Sequence, residues 1–148
     1  MKLKLLAILF LLMCQVSIAK TTPADYWNSL DQSDKIAFVN GAYGAISSMK
    51  AHHLREVKKQ YNQQPGWVEP YYIERFYEIV DEHLSQNVGY DLVLITRHMD
   101  ALYAGYDNSN ISLIEALRIV SLSQDDEQKK ADLLLLKAQR KFLHPLPK

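Results

Sequence analysis

His52, His53 and Glu56 form the most metal-like group in this sequence. His52 and Glu56 stand four residues apart and share one face of a helix. A zinc-type site takes three or four ligands, so the others would have to come from His83, His98 or Asp100, far along the chain. None of these makes the Glu-x-x-His pair of helical di-metal proteins. His53 also lies four residues from both Met49 and Val57, where a histidine at the edge of an apolar face belongs. The group reads as structural, and no metal or cofactor is expected.

Asp107-Asn108-Ser109-Asn110-Ile111-Ser112 has the look of a calcium loop. In EF-hand register Ile111 and Glu115 would fit, but Ala104 and Tyr106 would stand where the first two oxygen ligands belong and Ser109 where the turn glycine belongs. The segment is instead a helix–helix turn, with Asn110 in the turn and Ser112 and Glu115 as a reciprocal cap. No Gly-x-Ser-x-Gly elbow occurs, and the serines sit in caps or on helices. Asp81-Glu82 and Asp125-Asp126-Glu127 read as solvated or helix-start charge. No catalytic residue is assigned.

The aromatic group Trp67, Tyr71, Tyr72, Phe76 and Tyr77 is dense. Phe76 and Tyr77 fit the inner face of a helix. Trp67, Tyr71 and Tyr72 lie at a loop and a first helical turn, where burial is less assured. These three are the candidate binding residues, suited to stacking on a sugar or anchoring a protein partner. The competing reading is a satellite cluster that covers the loop.

These groups must be positioned by helices. The 148 residues suit one domain. Lys2 and Lys4, the apolar run Leu5 to Met13, and Ser17-Ile18-Ala19 make the three parts of a secretory signal. The expected division is a signal peptide over 1–19 and a helical domain over 20–148, periplasmic or secreted. The alternative is a lipoprotein anchored at Cys14. After cleavage the chain holds no cysteine, and it must rely on its core. With Lys2 and Lys4 removed from the 17 basic residues, 15 remain against 17 acidic ones, a formal charge of −2. No basic cluster tracks a phosphate backbone, so nucleic acid is not an expected partner. No membrane span is expected in the mature chain.

Strand-type alternation is scarce, and apolar spacing is helical throughout. A short helix starts at Pro23 with Thr22 as cap and carries Trp27, a structural residue. Asp31 or Ser33 opens a long helix to about Gln60, with Ile36, Val39, Tyr43, Ile46, Met49, Leu54 and Val57 on one face. Ala37, Gly41, Gly44, Ala45 and Ser48 fall on the opposite side. Each glycine costs a helix interior about 1 kcal/mol relative to alanine, so Gly41 and Gly44 are expected where a second helix crosses closely. A ligand groove is the competing reason. Pro65-Gly66 marks a turn. Further helices bury Ile73, Phe76, Tyr77, Val80 and Leu84; then Leu92, Ile95, Met99 and Leu102; then Leu113, Ala116, Leu117 and Val120. A last helix, capped by Asp125 or Asp126, buries Leu134, Leu135, Ala138 and Phe142. The expected fold is all-α: one small domain of five or six helices packed around the long central one.

Trp27-x-x-Leu30 with Lys35-x-x-Phe38-Val39-x-Gly41-x-x-Gly44 resembles the opening of small secreted bacterial all-helical proteins. Leu102-Tyr103, then Asn110-Ile111-Ser112-Leu113-x-x-Ala116-Leu117-x-Ile119, resembles their later segment. The chain is also faintly similar to the periplasmic immunity proteins that neutralise type VI amidase toxins, although those carry cysteines. The resemblance implies a helical envelope protein without an assigned activity. The expected function is a non-enzymatic binding protein, immunity-like or accessory, whose partner is another protein of the cell envelope. The alternative is an envelope enzyme acting on peptidoglycan or another glycan. Oligomeric state does not follow from the sequence.

Overall fold

The computed structural model describes residues 21–89 and 91–143. The leader proposed for 1–19, Cys14 and the side chain of Phe142 lie outside the described residues. Six α-helices follow one another, and no strand occurs among the described residues. They are α1 (Pro23–Ser29), α2 (Gln32–Gln63), α3 (Tyr71–Asp81), α4 (Leu92–Tyr103), α5 (Leu113–Gln124) and α6 (Gln128–Leu143), with a 3-10 turn at Tyr106–Asn108 between α4 and α5. The all-α, single-domain architecture is the one the spacing of apolar residues implies.

Local chemistry starts the helices. Thr22 and Asp25 form a full capping box at α1, each side chain bonded to the other's backbone N–H. Asp31, not Ser33, caps α2 through the N–H of Asp34. Asp91 caps α4 in the same way. At α5 the Ser112 side chain accepts from the N–H of Glu115 at 3.3 Å, but the reciprocal bond does not form. Glu115 instead acts on the phenol of Tyr103, which burial first and this charge second push above its ordinary value.

The core gathers Trp27 of α1, Val39 and Tyr43 of α2, Ile95, Met99 and Tyr103 of α4, Ile111, and Ala131 and Ala138 of α6 around α5. Helix α5 is the most enclosed, burying Ala116, Leu117, Ile119, Val120, Ser121 and Leu122. Helix α2 has 32 residues, roughly 48 Å at 1.5 Å per residue. Its last fully buried residue is Tyr43. Packing around the long helix is therefore confined to its first half. Beyond Ile46 it borders only α3, through His53 and Tyr77, and the 84–89 loop, beside Ser47 and Ser48, among the described residues. Met49 and Leu54, placed in the core by periodicity, are exposed for that reason.

The glycine face overturns an expectation. Ala37, Gly41, Gly44, Ala45 and Ser48 all face solvent, and a Cβ at Gly41 or Gly44 would meet nothing within 4 Å. No helix crosses there among the described residues. Gly41→Ala and Gly44→Ala should each therefore stabilise, by up to about 1 kcal/mol from helix propensity. Thermal unfolding checks this, and a lowered midpoint for either variant would contradict the open geometry.

At Gly105, unlike Gly41 and Gly44, a side chain would meet a neighbour. A Cβ there would stand 2.8 Å from Asn108 Nδ2. That amide donates to the Leu102 carbonyl at 2.7 Å and its oxygen accepts from Gln139 at 2.9 Å, tying the 3-10 turn to α4 and α6. Asn108 thus organises the turn. Asn110, the residue singled out from the sequence, is exposed and among the described residues its side chain reaches only Ser109.

Candidate functional site

The projecting half of α2, the turn after it and α3 form an arm beside the core. Pro65 and Gly66 reverse the chain, with Gly66 at φ +83°. Pro70 starts α3 without a side-chain cap, and its carbonyl accepts from the N–H of Ile73. Of the α3 residues only Ile73 is fully buried.

Aromatic residues dominate this arm. Trp67 is half-buried and meets Tyr61 edge-on, ring centroids 6.1 Å apart. Tyr71 is 77% exposed and Tyr72 69%. Phe76 is also exposed, although its spacing places it inward. Tyr61, Val68, Met49 and Leu54 add to the exposed apolar surface. The three candidate binding residues thus divide: Trp67 packs on the turn, whereas Tyr71 and Tyr72 stand open to solvent.

His53 faces α3, its Nδ1 2.8 Å from the Tyr77 hydroxyl and its ring 5.1 Å from that of Phe76. Glu56 turns to Lys59 at 2.6 Å, which holds its carboxyl below the ordinary value. His52 is exposed. These three therefore do not converge. Among the described residues no group of three His, Cys, Asp or Glu side chains is placed to hold a metal ion.

A groove of about 450 Å³ runs along α3, lined by Glu69, Pro70, Tyr71, Glu74, Tyr77, Glu78 and Asp81. Helical spacing puts positions 74, 77, 78 and 81 on one face. Lys50 of α2 pairs with Asp81 and lies 5.8 Å from the Tyr77 ring centroid. Arg75 pairs with Glu78 at 2.6 Å. Burial first, then the charge of Glu69, raises the Tyr77 phenol. Among the described residues, no hydrogen bond or ion pair reaches the carboxylates of Glu69 and Glu74.

A second groove, about 410 Å³, lies between α2 and the 84–89 loop, lined by Asn40, Tyr43, Gly44, Ser47, Ser48 and that loop. Its buried polar groups are satisfied internally. Tyr43 meets Ser121 at 3.2 Å and accepts from the Ser85 N–H, and Ser85 donates to Asp125 at 2.6 Å. Gly44 therefore borders a groove rather than a crossing helix.

Two acidic residues have roles that sequence reasoning missed. Glu82, read as solvated, is buried between Arg118 of α5 and Lys130 of α6. Burial alone would raise its carboxyl, but the bonds and charges of Lys130 and Arg118 hold it below the ordinary value. A signal existed: Arg118 is a lone basic residue within Ala116-Leu117-x-Ile119-Val120, and an arginine on so apolar a helix needs an acidic partner. Asp125 does not cap α6. It follows α5, and its carboxylate accepts from Ser85 Oγ, Gln86 N–H and Asn87 N–H. Asp126 adopts φ +62° beside it. These bonds close the loop after α3, so that α3 ends at Asp81 and Leu84 lies outside it.

Comparison of the chain with family models, curated proteins and solved structures returns no match.

Proposed function

We propose that this chain is a non-enzymatic interaction protein of the cell envelope, immunity-like or accessory, which grips a protein partner with the arm formed by α2 and α3. One observation carries the reading: Tyr72 and Phe76, four residues apart on one face of α3, are both exposed, and Tyr71 of α3 and Tyr61 and Met49 of α2 add further exposed apolar side chains. Single exposed apolar residues are ordinary, but a contiguous group marks an interaction surface. Tyrosine suits that task, because a large rigid ring buries much area for little lost freedom. Export by residues 1–19 brings the arm to an envelope partner.

In-cell photocrosslinking tests the reading, with a photoreactive residue at position 72 and a control at the exposed Leu133 of α6. A discrete protein adduct from position 72 alone is expected. Tyr71→Ala combined with Phe76→Ala should abolish it. The same pair should leave unfolding nearly unchanged, since exposed substitutions usually stay within about 0.5 kcal/mol each. Equal labelling from both positions, or none, defeats the proposal.

Export is checked separately. The intact mass of protein from a periplasmic or secreted fraction should begin at Lys20. A mass retaining Met1, or a diacylated Cys14, would refute cleavage after Ala19.

A further inference from the structure

A cavity of about 300 Å³ opens where α4, α5 and α6 meet, and none of its lining belongs to the arm. His98 of α4, Ser123 of α5 and Asp132 of α6 line it together with the apolar side chains of Leu102, Ile119 and Leu135. We infer that this cavity takes a small amine, its primary ammonium group held by His98, Ser123 and Asp132 and its alkyl chain against the three apolar residues. The site is separate from the partner surface proposed for α2 and α3.

Hydrogen bonding decides the chemistry of the occupant. His98 Nδ1 lies 3.0 Å from the Leu94 carbonyl oxygen. A carbonyl only accepts, so Nδ1 carries the proton and, in the neutral ring, Nε2 is left as an acceptor. Ser123 gives its one hydroxyl proton to Gln128 Oε1 at 2.8 Å. Gln128 in turn donates to Asp132 Oδ1 at 2.7 Å, which leaves Oδ2 of the carboxylate. Among the described residues no hydrogen bond reaches His98 Nε2 or Asp132 Oδ2. These three side chains can therefore only accept from a ligand. The amides of Gln124 and Gln128 carry donors and acceptors alike and do not discriminate.

Charge points the same way. Asp132 is the one carboxylate on the lining, and no lysine or arginine stands beside it there. An anion would meet that charge uncompensated. A wholly apolar ligand would strip water from three acceptors and return nothing. An alcohol offers a single donor, whereas an ammonium offers three and a positive charge. Apolar walls with a few placed polar groups are the ordinary composition of a small-molecule site, and this volume lies at the small end of the range.

Titration of the exported protein with hexylammonium, hexanol and hexanoate tests this at about pH 8, where an ordinary imidazole is neutral. Backbone amide NMR gives the readout. Hexylammonium should shift signals over residues 98–102, 119–124 and 128–135 saturably. Hexanol should bind about fivefold more weakly or worse, and hexanoate not at all. Asp132→Asn should weaken hexylammonium two- to fivefold, roughly the worth of one exposed ion pair. Ala101 also lines the cavity and is exposed on α4. Ala101→Leu should fill the space and abolish binding. Its thermal midpoint should stay nearly unchanged, since leucine is almost as good a helix former as alanine. Nα-acetyl-lysine methylamide, with the same ammonium on a peptide-like body, separates two sources of the group. Weaker binding than hexylammonium assigns the site to a free amine, and tighter binding to a lysine side chain; both support the ammonium site.

Equal binding of hexylammonium and hexanol would overturn the inference, because the acceptors would then select nothing. A preference for hexanoate would overturn it through the sign of the charge. So would hexylammonium binding that survives Ala101→Leu in a folded protein, or the absence of any saturable shift at these residues.

Discussion

Trp27→Ala should be the most damaging single substitution in the described structure, lowering stability by about 3–5 kcal/mol. Trp27 is fully buried although it sits on a helix of only seven residues. Its ring meets Phe38 edge-on at 5.9 Å and Tyr103 at 6.3 Å, so it joins α1 to both α2 and α4. The indole N–H donates to Asp100 at 2.7 Å, and Lys35 reaches the same carboxylate oxygen at 2.8 Å. Truncation leaves a cavity the size of an indole and removes one of the two donors that Asp100 shares. A helix as short as α1 has little stability of its own, so without the ring it should detach. Trp67→Ala is the matched control: a half-buried tryptophan packed on a turn should cost about 1 kcal/mol, the ordinary effect of a point substitution. Chemical denaturation of both variants checks the contrast. Equal losses would mean that Trp27 is not the anchor of α1.

Arg118→Ala should cost about 3 kcal/mol at neutral pH, the low end of the cost of breaking a buried ion pair, because Lys130 remains. Arg118 Nε donates to Glu82 Oε2 at 2.7 Å, and Lys130 Nζ pairs with Oε1 at 2.7 Å. Removing the arginine strands a carboxylate that is nearly inaccessible to solvent. Removing the acid is milder. Glu82→Gln leaves two cations that are themselves partly exposed and can turn to water, so the expected loss is about 1–2 kcal/mol. The pH dependence follows from linkage. Glu82 titrates lower in the folded chain than its ordinary 4.5, so the folded state favours its ionised form. Its contribution is fully present above about pH 4.5 and disappears as pH falls through the lower, folded value. The stability gap between the native chain and Glu82→Gln should accordingly narrow on acidification from pH 7 to below 4. A gap that stays constant across that window, or an Arg118→Ala loss below about 1 kcal/mol, would show that the three charges behave as a surface group.

Much of the helical framework is legible in the residues themselves. Thr22, Asp31, Asp91 and Ser112 each bond within three residues of their own position, so the chemistry of a helix start needs no knowledge of the rest of the chain. Ile95, Met99, Ala116, Leu117 and Val120 recur at helical spacing and are all buried. Tyr71 and Tyr72 stand out for the same local reason: two aromatics in a first helical turn after a proline have little of their own helix to pack against. Periodicity, by contrast, states only which residues share a face. It does not state whether anything lies upon it. Met49 and Leu54 continue the face of Val39 and Tyr43, yet the core ends before them.

The sequence by itself determined the fold class, the places where most helices begin, and which side of each helix is apolar, because these depend on contacts no more than about one helical turn apart. The tertiary structure alone decided which apolar faces are covered, and so decided that the second half of α2 and α3 present aromatic rings to solvent. It also decided the fate of the charges. Asp125 holds a loop about 40 residues earlier in the chain, at separations of 38–40. Glu82 meets Arg118 across 36 residues. Asn108, not Asn110, secures a turn through Gln139, 31 residues away. Gly41 and Gly44 face water for the same reason: packing is set by partners from distant segments, and no local pattern states which side of a helix they will approach.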